Sequence, residues 1–76
     1  MVIDLLDKLH ESGDLRALFK AGVISSSVIQ WRKIYHTYKG QIENGSSNAQ
    51  AIAETSEVQD CSIELVYKVV RRMTTD

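Results

Sequence analysis

Glu64, Tyr67, Lys68, Arg71 and Arg72 are the residues of this sequence best placed to do chemistry together. They recur at offsets of three and four, which puts them along one side of a helix. The set offers three cations, a phenolic hydroxyl and a single carboxylate, a combination suited to binding an anionic surface and poor for breaking bonds. The other reactive side chains do not assemble. His10 and His36 are far apart in sequence and fall on different predicted helices, and Cys61 stands alone, so neither metal-ligand spacing nor an internal disulfide is available. The serines have no base and orienting acid at catalytic spacing, and helix capping explains them better. No glycine-rich phosphate loop occurs. These residues predict a domain that is not an enzyme and uses no metal and no cofactor.

Size and charge bound the rest. A chain of 76 residues makes one domain and buries only about 60–65% of its unfolded surface. The apolar fraction of 43% suits a globular chain. Proline is absent and alternating strand patterns are missing, which predicts an all-α fold. Nine basic against ten acidic residues give 9 − 10 = −1. That excludes the broad basic excess of a nonspecific polyanion binder, so any such function rests on local placement of charge. The segment MVIDLLDKLHESGD carries acids where a secretory leader needs basic residues, and no apolar run is long enough to span a membrane. The expected compartment is therefore a reducing cytoplasm, where the sequon Asn44-Gly45-Ser46 is incidental.

About five short helices must position these groups. The first is expected from Val2 to Glu11, with Val2, Leu5, Leu6 and Leu9 inward, and Gly13 ends it. Asp14 is expected to cap a second helix that carries Leu15, Leu18 and Phe19 inward and ends at Gly22. The third begins among Ser25–Ser27, with either Ser25 or Ser27 as its cap, and lays Val28, Trp31, Tyr35, Tyr38 and Ile42 in one stripe widened by Ile34. Gly40 interrupts it, marking fraying or close packing, and Gly45 ends it. Ser47 with Gln50 reads as a capping box for a fourth helix that turns Ala51, Ile52 and Thr55 or Ser56 inward. Val58 to Cys61 reads as a turn, with Cys61 a small buried apolar residue. Ser62 caps a fifth helix with Ile63, Val66, Val70 and Met73 inward and Val69 beside them.

The segment SSNAQAIAETSEVQDCSIELVYKVVRRM resembles the trihelical, homeodomain-like helix-turn-helix of bacterial transcription regulators and of transposase and recombinase DNA-binding domains. The features that carry the resemblance are a capped helix with a small inner residue, a turn, a serine, and the run Val66-Tyr67-Lys68-Val69-Val70-Arg71-Arg72. It covers about residues 25–74. The family often has glycine in the turn where this chain has Asp60, which tolerates the left-handed conformation better than most residues. An apolar residue often precedes that glycine; here it is Gln59, with Val58 as the substitute if the turn shifts. The resemblance implies sequence-specific binding of double-stranded DNA, as a small regulator or a mobile-element accessory factor, with residues 62–74 as the recognition helix in the major groove.

On that reading Ser62, Ile63, Glu64, Tyr67 and Lys68 lie nearest the bases, and Arg71 and Arg72 reach phosphate. Ser47 and Asn48, after Ser46, present a helix N-terminus to phosphate. Arg32 and Lys33, with Lys39, add contacts from the third helix. Glu64 can accept from cytosine N4 or pair with Lys68 one turn on. Two alternatives stay open. Lys68, Arg71 and Arg72 also suit a solvated face near a helix C-terminus, and the near-neutral charge suits a helical protein-interaction module that keeps the fold without binding DNA. The pair of helices in residues 1–24 either completes the core or forms a homodimer contact.

Overall fold

The computed structural model describes residues 1–75. It contains five helices and, among the described residues, no strand: α1 Val2–Ser12, α2 Asp14–Lys20, α3 Ser26–Glu43, α4 Asn48–Val58 and α5 Ile63–Met73. None is long and apolar enough to cross a membrane. The all-helical reading holds, and each predicted element is present.

Helix α3 is the spine. It packs against both α4 and α5, which also pack against each other, while α1 packs on α2 and on α5. At the junction Ile34, Ile52, Val66 and Val69 lose essentially all contact with solvent. Each such side chain contributes about 1.5–3 kcal/mol by leaving water. Ile3 and Leu6 of α1, Leu15 of α2, Tyr35 of α3 and Met73 of α5 extend the same cluster. Thr55 is buried there too, with its hydroxyl donating to the Ala51 carbonyl at 2.7 Å, so the buried hydroxyl is satisfied inside its own helix. The chain ends meet: the Val2 amide donates to the Thr75 carbonyl at 3.0 Å, joining the start of α1 to the end of α5.

Helix boundaries follow local chemistry. Ser47 Oγ accepts from the Gln50 amide at 3.2 Å, and Ser62 Oγ accepts from the Leu65 amide at 3.1 Å, as the capping patterns require. Ser25 is the N-cap of α3, but without a side-chain bond. The expected cap at Asp14 is replaced. Gly13 stands at φ +83° and serves both as C-cap of α1 and N-cap of α2, so Asp14 already lies inside α2 and its carboxylate accepts from Ser12 Oγ.

Several inward assignments are corrected. In α1 the buried residues are Ile3 and Leu6, whereas Val2 and Leu5 are exposed, because the face toward α2 and α5 is centred one residue further round the helix. Phe19 is exposed, since α2 packs chiefly on α1 and offers only Leu15 to the core. In α3, burial centres on Ile34 and Tyr35, with Val28, Trp31, Tyr38 and Ile42 half-buried at the edges. In α5, Val66, Val69 and Met73 are buried and Ile63 is 48% exposed. Ile63 and Glu64 at the start of α5 stand clear of the core, which begins at Leu65 and Val66.

Gly40 lies within α3, and a Cβ placed there would meet nothing within 4 Å. Close packing therefore does not account for this glycine. Gly40→Ala is expected to raise stability by about 0.5–1 kcal/mol, because alanine loses less backbone entropy in a helix. Urea unfolding followed by circular dichroism checks it.

Candidate nucleic-acid interface

The turn between α4 and α5 sets the angle at which α5 is presented. Asp60 adopts φ +51°, the one left-handed residue other than glycine among those described. The turn is closed from both sides: the Cys61 amide donates to the Ser56 carbonyl at 3.0 Å, and Ser56 Oγ donates to the Cys61 carbonyl at 2.9 Å. Val58 does not enter the core but stays exposed. Gln59 takes the inner position instead, and its side-chain amide donates to Thr37 Oγ1 on α3 at 2.9 Å. A hydrogen bond thus anchors the turn where an apolar contact was expected. Cys61 is half-buried against the core. Burial, then the neighbouring Asp60 charge, raises its thiol pKa, which disfavours the reactive thiolate.

With its inner stripe docked, α5 turns Glu64, Tyr67, Lys68, Arg71 and Arg72 to solvent. Glu64, Tyr67, Lys68 and Arg71, with Val70 between them, line one open hollow of about 560 Å³. Arg72 lies round the helix and borders a second, apolar groove with Met73 and residues of α1 and α3. Among the described residues no ion pair joins Glu64 to Lys68. Lys68 instead reaches over Trp31 of α3, with Nζ 5.4 Å from the ring centroid. Such a contact contributes about 0.5–1 kcal/mol at an exposed site.

The remaining expected site residues are not gathered with these. Arg32 is 20% exposed, and its Nε donates to Asp7 Oδ1 of α1 at 3.0 Å. Its Nε is thus engaged at a partly exposed contact between α3 and α1, away from the outer face of α5. Lys33 is exposed, and with Ser47 and Asn48 it borders neither hollow. The Ser47 hydroxyl is used as a cap, and Asn48 Oδ1 accepts from the Tyr38 hydroxyl, tying the start of α4 to α3. The Ser62 hydroxyl is likewise spent as a cap.

Sequence periodicity missed the group around Asp7, a residue read as solvent-facing. Asp7 Oδ1 also accepts from His36 Nε2 at 2.7 Å, so one carboxylate oxygen holds two α3 side chains. No local signal marks this cluster, since its members are 25 and 29 residues apart. Among the described residues no group of three His, Cys, Asp or Glu is arranged to hold a metal ion.

Comparison of the chain with protein-family models, with curated proteins and with solved structures returns no match.

Burial raises the Asp7 pKa, but the hydrogen bond and charge of His36 and the Arg32 guanidinium outweigh it and leave the group below its ordinary 3.8. A lowered carboxylate pKa stabilises the fold above the unfolded value, and that stabilisation is lost as pH falls through the folded one. Asp7→Asn is therefore expected to cost about 0.5–1 kcal/mol at neutral pH. The thermal midpoints of variant and parent should begin to approach one another near pH 3.8 and converge only below the lowered pKa that Asp7 has in the folded chain.

Proposed function

We propose that the chain is a non-catalytic, double-stranded-DNA-binding domain of helix-turn-helix type, with α5 as the helix that enters the major groove. The observation that carries this reading is the outer face of α5. Tyr67, Lys68 and Arg71 stand together in solvent on a helix whose opposite side is locked to α3 and α4. A major groove accommodates one such helix, and a protruding helix on a rigid base is what groove reading requires. The mutual packing of α3, α4 and α5, the Ser47 and Ser62 caps and the left-handed Asp60 all support it.

Roles follow from position along α5. Glu64 and Tyr67 lie toward its N-terminal end with the exposed Ile63, where an acid can accept from cytosine and an apolar side chain can meet a thymine methyl. Arg71 and Arg72 supply phosphate contacts, and Lys68, drawn aside over Trp31, joins them in place of the base contact expected from its position in the sequence. Lys68 exchanges its place over Trp31 for the DNA backbone. The reading covers a small regulator and a recombination accessory factor alike.

A specific observation favours a second reading, a protein-interaction module. The groove bordered by Val2, Leu5 and Trp31 is apolar, and the whole chain carries a net charge of −1.

Titration of a randomised duplex pool, followed by fluorescence anisotropy at several salt concentrations, separates the two. DNA binding is expected to weaken with salt, and Arg71→Ala and Arg72→Ala should each reduce the log–log salt slope by about 1. Both variants should keep the parent circular dichroism, because both residues are exposed. Absence of any salt-dependent binding at low salt would overturn the DNA reading and leave the interaction module.

A further inference from the structure

We propose that the protein forms a homodimer in which α1 packs antiparallel against α1 of a second copy, the Leu5 of each copy closing the apolar groove of the other. This inference concerns the groove beside α1, which shares Arg72 with the outer face of α5, and it does not depend on DNA being bound.

The groove has a volume of about 580 Å³ and runs between α1, the start of α3 and the end of α5. Val2, Leu5, Leu9, Val28, Trp31 and Met73 form its walls. A single exposed leucine is ordinary, but Leu5, 60% exposed, stands on the lip of a continuous apolar hollow with exposed Val2 beside it. In the single chain this hollow has no cover, because Leu5 and Val2 both stand exposed at its edge.

The charges of α1 select a second copy as the occupant. Asp4, which already holds the Met1 ammonium at 3.2 Å through one carboxylate oxygen, and Lys8 lie one turn apart, both exposed, on the same flank of the stripe formed by Leu5 and Leu9. A two-fold axis perpendicular to two antiparallel helices leaves each flank on its own side of the contact. With the register centred at the level of Leu6, Asp4 faces the second copy's Lys8 and Lys8 faces the second copy's Asp4. In the same register Leu5 packs between the second copy's Leu5 and Leu9. The apolar fit and the charge fit therefore demand one and the same register, and the symmetry uses each contact twice. A partner helix with a uniformly acidic or basic flank would leave either Asp4 or Lys8 opposed by its own sign.

Trp31 is the chain's one tryptophan and lines the groove, so its emission reports on groove filling. Analytical ultracentrifugation of the full chain from micromolar to millimolar concentration is expected to show a monomer–dimer equilibrium, with Trp31 emission following the change in mass. Leu5→Glu should raise the dimer dissociation constant about tenfold or more, a loss of about 1.4 kcal/mol, with helicity unchanged because Leu5 is exposed in the single chain. Asp4→Lys and Lys8→Asp should each weaken the dimer, and the double variant should recover it. A monomer at every concentration, a dimer indifferent to Leu5→Glu, or a double exchange no tighter than its single parents would each overturn the proposal. All three readouts are taken without nucleic acid, so failure here is distinguishable from failure of the DNA reading.

Discussion

Burial of Ile34, Ile52, Val66 and Val69 in one cluster governs where every other part of the molecule points. These residues come from α3, α4 and α5, and none of the three helices can bury its own apolar stripe alone. Once α5 commits Val66, Val69 and Met73 to that cluster, helical geometry leaves Glu64, Tyr67, Lys68 and Arg71 no direction but outward. The exposed chemistry of α5 is thus a consequence of its hidden side. The same docking draws the end of α5 to the start of α1, where the Val2 amide meets the Thr75 carbonyl.

Polar contacts refine what packing sets. Asp7 holds Arg32 and His36 of α3 against α1, and Gln59 holds the turn against Thr37. Each is a cross-helix bond at the edge of the core, where a hydrogen bond fixes relative position at little desolvation cost. They also redistribute charge. Arg32 is paired with Asp7 on α1, and the exposed cations that share a helix with the candidate reading face are Lys68, Arg71 and Arg72. In a chain of net charge −1, those three matter more than the total.

Trp31 joins the two outward-looking surfaces. Its ring forms part of the apolar groove and also receives the Lys68 ammonium. Occupation of the groove and the direction of Lys68 are therefore properties of neighbouring sides of one side chain. Of the N-terminal helices, Ile3, Leu6 and Leu15 complete the core, while Val2 and Leu5 remain outside it.

The sequence by itself determined the all-helical class, the five elements, the Ser47 and Ser62 caps, the left-handed turn at Asp60 and the outward set on α5. Those features depend on neighbours within about one helical turn, so they are written locally. Tertiary structure alone decided the rest. It rotated the buried face of α1 from Val2 and Leu5 to Ile3 and Leu6, centred α3 on Ile34, left Phe19 and Ile63 in solvent, and paired Arg32 with Asp7. Periodicity states that a helix has an apolar side, but its edges are set by where other helices lie. A pairing across 25 residues leaves no trace in local spacing. The cluster of Glu64, Tyr67, Lys68, Arg71 and Arg72 was visible from the outset as a helical face. The folded chain divided it, giving four of the five to one hollow and Arg72 to the groove beside α1.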